Sequence, residues 1–229
     1  YIEYFSNGQK KIQGHFKSYW SYGSSQSKEW FGLVEQWNVN GEKLSQSNYE
    51  NGSLNGEMKK FYPNGNTEIQ CIYVNNIKHG ISKEFYPNGN NKIIGNYSGG
   101  LKDGLFSFYS INGDIQKQTK YQNENVIENI NFNYYSKGIL KSKEKSINNN
   151  KRTYNLWYKN GFLKLENNFN QIGEAYGKQL SYFDDGSIES GKFAIYNDTL
   201  TMIQAIELGF WIPNKKENEF YINFKNKIK

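Results

Sequence analysis

A glycine returns every 24 residues through most of this chain. Gly32, Gly56, Gly80 and Gly104 open successive units, and a second glycine follows nine residues into each: Gly41, Gly65, Gly89 and Gly113. The stretches Gly56 to Gly65 and Gly80 to Gly89 are near copies, both closing on Phe-Tyr-Pro-Asn-Gly. Weaker copies carry the pattern to Gly138, Gly161 and Gly186, and Gly8 marks a truncated first copy. A fixed period of this size specifies a repeat array, in which each unit buries its apolar face only against its neighbours. Such arrays present extended binding surfaces rather than catalytic pockets.

The local chemistry of one unit predicts a hairpin. In Tyr62–Pro63–Asn64–Gly65–Asn66, Pro suits the first central position of a type I turn, Asn the second, and Gly the left-handed residue after it. A two-residue Asn-Gly turn is the competing reading. The three-residue loop pairs Tyr62 with Asn66 and gathers Phe61 with Thr67, Ile69, Cys71 and Tyr73 on one face; the two-residue loop sets Phe61 beside Glu68 and Gln70. Because register follows the buried face, the three-residue loop is preferred. It predicts that Phe61 and Phe85 are buried on the face of Ile69, Tyr73, Ile93 and Tyr97. An aromatic stands four residues before each turn glycine: Tyr4, Trp37, Phe61, Phe85, Tyr109, Tyr134, Trp157 and Tyr182. Of these, Trp37, Phe61, Phe85, Tyr109, Tyr134 and Trp157 form the expected structural spine.

The fold class expected is therefore all-β: an elongated single-layer antiparallel sheet of tandem 24-residue β-hairpins with a C-terminal cap. Residues 1–198 form the array of about eight repeats, and 199–229 the cap, where Phe210–Trp211–Ile212–Pro213 covers the last edge. An insertion spans 17–31, with nine residues beyond the repeat length around Tyr19–Trp20–Ser21–Tyr22–Gly23. It reads as an irregular loop, a place where function is often carried.

Gly-x-x-x-x-Phe-Tyr-Pro-Asn-Gly, a strand, then Tyr-x-x-Gly-x-x-x-Gly resembles the bacterial variant of the MORN repeat; the best matches are Gly56–Gly65 with Tyr73 and Gly80–Gly89 with Tyr97–Gly104. The resemblance covers about residues 1–198 and implies a single-layer array of hairpins. Bacterial members are often called YwqK-like antitoxins, some encoded beside polymorphic toxins. Eukaryotic MORN arrays act as scaffolds. The family carries no shared catalytic residues. What the resemblance implies is a non-enzymatic protein-binding module, most specifically an antitoxin or immunity-type protein that sterically caps a toxin. The alternative is a scaffold subunit of a cell-envelope or surface complex.

The residues themselves offer little chemistry. His15 and His79 are the only histidines, with no Cys or His cluster beside them, so no metal or other cofactor is expected. Cys71 is alone and reads as a packed thiol. Asp184–Asp185–Gly186 sits at a turn position, and Ser98 to Gly104 lacks the Gly-Lys-Ser/Thr of a phosphate loop. The formal charge of +6 comes from scattered Lys, which argues against nucleic acid as partner. No run of 18 apolar residues is present. The sequence opens on Tyr1, which leaves room upstream for a signal peptide or lipid anchor. A cytoplasmic location is expected, with a periplasmic or outer-membrane-associated one as alternative. Partner contact is assigned to Tyr62, Tyr86, Tyr135 and Tyr158, which recur on the polar face, and to Tyr19, Trp20 and Tyr22 of the insertion.

Overall fold

In a computed structural model, the described residues are 1–21, 24–148, 151–195, 198–207, 211, 214 and 217; side chains 19–21, 24–28, 151, 195, 198, 203 and 207 are excluded. The chain divides into two compact units, 1–125 and 126–229.

The first unit is a run of antiparallel hairpins: β1 (Ile2–Tyr4), β2 (Lys10–Ser21), β3 (Ser24–Trp37), β4 (Lys43–Glu50), β5 (Ser53–Phe61), β6 (Thr67–Val74), β7 (Ile77–Phe85), β8 (Asn91–Ser98), β9 (Leu101–Lys102), β10 (Gly104–Tyr109) and β11 (Ile115–Gln122). The second unit continues the same plan with β12 (Asn125–Ser136), β13 (Ile139–Ile147), β14 (Lys151–Trp157), β15 (Leu163–Phe169), β16 (Ala175–Tyr182), β17 (Ile188–Ile195), β18 (Asp198–Thr201) and a short helix, α1 (Met202–Glu207). The expected all-β class of tandem antiparallel hairpins is what the chain adopts.

Two turn types recur. At the repeat turn the Tyr62 N–H donates to Asn66 O (2.8 Å), the Gly65 N–H to Tyr62 O (2.9 Å), and Gly65 has φ 83°. That is the three-residue loop, and it recurs at Gly8, Gly41, Gly89, Gly113, Gly161, Gly173 and Gly186, while Gly138 lies in a two-residue turn between Ser136 and Ile139. At the opposite ends, pairs of left-handed residues close two-residue turns: Asn51–Gly52, Asn75–Asn76, Gly99–Gly100 and Asn123–Glu124. Such turns match the right-handed twist of the strands, and Asn and Gly adopt them at least cost. Glu124 is neither, at φ 67°. Its N–H donates to Lys102 O (2.9 Å) and its carboxylate accepts the Lys102 N–H (2.7 Å), which fastens the strained residue to the preceding repeat.

One expectation is corrected. Phe61 faces Thr67 as read, but the next pair is Lys60 with Ile69, so Glu68 is an extra residue in a β-bulge. Met58, not Glu57, then stands opposite Cys71. A one-residue slip moves a strand's side chains to the other face. Phe61 therefore shares its face with Lys59 and Glu57, and lies across the sheet from Ile69, Cys71 and Tyr73. Equivalent shifts occur at Trp37, Phe85, Tyr109, Tyr134, Trp157 and Tyr182. Phe61 and Phe85 are consequently half-buried rather than buried.

The sheet thus has a spine face (Trp37, Phe61, Phe85, Tyr109) and an opposite face whose middle row is the most buried part of the first unit. That row includes Val34, Cys71, Ser82, Phe106 and Thr119, each under a tenth exposed. Its residues are mostly small. Phe106 is the exception and lies over Gly95, edge-on to Tyr97 (5.4 Å) and Tyr121 (5.1 Å).

The insertion is corrected too. It is no irregular loop: β2 and β3 simply run on as paired strands, with Phe16 opposite Trp30, Tyr19 opposite Ser27 and Ser21 opposite Ser24. Pairing its backbone satisfies the polar groups that a free loop leaves to water.

In the second unit α1 and Trp211 cover the spine face of the last hairpin. Leu180, Tyr182, Ile188, Met202, Ala205 and Trp211 form its core, with Phe193 and Leu200 packed against them. Burial lifts the Tyr182 phenol to about 12, with Glu166 and Glu217 adding to it. Glu217 is itself buried. Burial pushes its carboxyl up, but the Trp211 indole N–H (2.9 Å), the Asn214 N–H (2.9 Å) and the Lys178 ammonium (3.0 Å) outweigh that, and it sits below its ordinary 4.5. A carboxylate depressed in the fold stabilises it above the unfolded value and loses that contribution as pH falls through the folded one. The cap should therefore loosen on acidification below 4.5. The Trp211 indole resonance will report the step, and Glu217→Gln should abolish it; a step that survives in the variant belongs to another group.

Candidate binding surface

The four turn tyrosines assigned to partner contact each have a structural task. The Tyr62 hydroxyl donates to Phe85 O (2.7 Å) and that of Tyr86 to Tyr109 O (2.8 Å). In the second unit Tyr135 donates to Trp157 O and Tyr158 to Tyr182 O, both at 3.0 Å. Every acceptor is the carbonyl of the next spine aromatic. Asparagines repeat the device one step further round the turn. Asn64 and Asn66 donate to Pro87 O (both 2.8 Å), Asn88 and Asn90 to Ile111 O, and Asn160 to Asp184 O. These turns are thereby stapled to their successors by charge-neutral bonds about one repeat away in sequence.

What remains of these tyrosines for a partner is ring surface. Tyr62, Tyr86 and Tyr158 are half-buried and Tyr135 is exposed. Lysines flank the last two: Lys141 and Lys159 lie 5.7 and 5.8 Å from the Tyr135 ring, and Lys164 lies 5.2 Å from that of Tyr158. Tyr22 lies outside the described residues, as do the side chains of Tyr19 and Trp20. The structure brings Tyr62 with Tyr86, and Tyr135 with Tyr158, onto successive turns of one edge, each pair within its own unit.

Sequence reasoning missed a second surface. On the spine face of the first unit, Leu33, Ile72, Ile81 and Leu105 are 45%, 44%, 57% and 49% exposed. Alternation places Leu33, Ile81 and Leu105 with Trp37, Phe85 and Tyr109, four residues on. Ile72 joins them as the cross-strand neighbour of Glu57. A shallow groove of about 190 Å³ runs among Glu57, Gln70, Cys71, Ile72, Ile81 and Lys83. Its charges are uneven. Glu57 is held below the carboxylate range by hydrogen bonds, first from Lys59 (2.8 Å) and then from Gln70. Lys83 has no ion-pair partner among the described residues.

The Cys71 thiol is buried and pushed up by that burial, which keeps it protonated. Among the described residues no group of three or more His, Cys, Asp or Glu side chains is arranged to hold a metal ion. No helix of the described residues is long and apolar enough to cross a membrane.

The family model for the MORN repeat variant matches residues 54–75 and 78–98, the third and fourth hairpins. No curated protein matches the sequence. Among solved structures the chain is similar to one described as "Crystal Structure of TcdB2-TccC3-TEV", at 12% identity and a TM-score of 0.27, over 88% of this chain and 14% of that one. The present chain thus spans a small part of that protein's length.

Proposed function

We propose that this protein is a non-enzymatic module that binds another protein through its hairpin sheet. In the finer reading it is an antitoxin or immunity-type protein whose sheet sterically caps a partner toxin. One observation carries the binding reading: a row of large aliphatic side chains about half exposed on the spine face of the first unit. Exposed apolar side chains gathered on one face among polar residues mark interaction sites. The turn tyrosines extend the contact along one edge, and the insertion supplies Tyr19, Trp20 and Tyr22. The toxin reading draws on the sequence resemblance.

Capture on the full chain from its native source, with the captured protein then purified and titrated, tests both levels. Tyr62→Ala, Tyr86→Ala and Trp20→Ala together should weaken that partner at least tenfold, about 1.4 kcal/mol. Tyr62→Phe with Tyr86→Phe separates the roles. It deletes two staples and should lower stability to urea by about 1 kcal/mol each, while leaving affinity within twofold. Equal affinity in a well-folded triple mutant places the contact elsewhere. A captured partner without toxic activity removes the immunity reading.

A further inference from the structure

We propose that the spine face of the third to fifth hairpins, bearing Ile72, Ile81, Leu105, Lys83 and Lys120, docks an acid-bearing amphipathic α-helix of the protein partner. This rests on the protein-binding reading and names the element that the surface takes. The molecule contains its own example of such a contact. Counted back from the turn glycine, Lys178, Leu180 and Tyr182 of the last hairpin occupy the positions of Ile81, Lys83 and Phe85 in the fourth. On the last hairpin that face is closed by α1 and Trp211. Met202, Ala205 and Trp211 are at most 2% exposed, and Glu217 meets Lys178 at 3.0 Å while the same ammonium lies 4.9 Å from the Trp211 ring. Where this face is covered it therefore accepts two apolar residues of the short helix α1, an indole from beyond that helix, and a carboxylate on its lysine.

The first unit carries the same two residue types, a lysine and an aliphatic, in exchanged positions, with Ile81 left exposed. Ile81 lies opposite Asn96, Leu105 opposite Lys120, and Lys83 opposite Ile94. Lys83 and Lys120 are free of ion pairs among the described residues, so a docked element needs acidic flanks. The element is a helix rather than a strand, because β6, β7 and β8 each have a partner on both sides. They offer no unpaired backbone to an added strand, and a helix satisfies its own backbone. From Ile72 on β6 to Leu105 on β10 is three strand spacings, roughly 14 Å. That matches about nine residues of helix, enough for contacts at i, i+4 and i+7.

The probe is a synthetic peptide of residues 199–217, titrated into the isotope-labelled full chain. It should give saturable amide shifts across β6, β7, β8 and β10. Lys83→Glu should weaken binding at least tenfold, and Ile81→Asp should abolish it. Ile81→Thr, which keeps strand propensity, should weaken it about fivefold and guards against a misfolded Asp variant. Shifts confined to β16 and β17, shifts at strand edges, affinity unchanged by Lys83→Glu and Ile81→Thr, or no saturation each overturn the inference. A native partner that binds while the peptide does not removes the helix and leaves the binding reading standing. A bound peptide with no native partner does the reverse.

Discussion

Trp211→Ala should open the cap and expose the last hairpin. Trp211 is 1% exposed and touches the core formed by Leu180, Tyr182, Ile188, Met202 and Ala205. Deleting a buried indole costs about 3–5 kcal/mol, from lost transfer energy plus the cavity left behind. A second loss adds to the first. The indole N–H donates to Glu217, which is 4% exposed, so truncation leaves a buried carboxylate with fewer donors. Amide exchange in β16, β17 and β18 should accelerate roughly 10²- to 10³-fold, while strands of the first unit keep their protection. Trp211→Phe, which preserves most of the volume and loses the N–H, should fall between the two. Unchanged protection in β17 would show that α1 and Trp211 rest on the hairpin without stabilising it.

Much of the fold was legible because its signals are local. A turn glycine at φ 83° and the Pro63–Asn64 pair before it announce themselves in the sequence. So does the aromatic four residues before each turn. The bulge at Glu68 was not legible. It needs no special residue type, yet it moves Phe61 to the other face and reverses the face assignment. The tyrosine staples were half legible. Recurrence at Tyr62, Tyr86, Tyr135 and Tyr158 was plain, but each acceptor is a backbone carbonyl 22 to 24 residues away, and a carbonyl carries no sequence signature. The insertion misled because its Ser and Gly content reads as loop, while pairing of its two halves depends on their backbones. The exposed row of Ile72, Ile81 and Leu105 went unseen for the same reason as the bulge: with the wrong register these residues have no common face.

The buried row on the other side of the sheet depends on a glycine whose task is steric. A Cβ built on Gly95 would stand 2.2 Å from Phe106 Cε1, well inside contact distance. Gly95 has no left-handed φ, so its backbone would tolerate alanine; the obstacle is the ring alone. Phe106 is 3% exposed and held between Tyr97 and Tyr121, with little room to turn aside. Gly95→Ala should therefore cost about 1–3 kcal/mol or more by overpacking. Phe106→Ala should cost about 3–5 kcal/mol by leaving a cavity. If the ring on the glycine is the cause of both, the double variant should be less destabilised than the sum by about 1–3 kcal/mol. The new methyl then enters the space the ring has left. Urea unfolding of the four proteins measures the coupling, and additive costs would mean that Gly95 is required for some reason other than Phe106. The same variants bear on binding. Gly95 and Phe106 sit on the face opposite Ile81 and Leu105, so a folded Gly95→Ala protein should keep partner affinity while losing stability. A variant that loses affinity in step with stability would instead show that the binding row depends on the register this glycine sets.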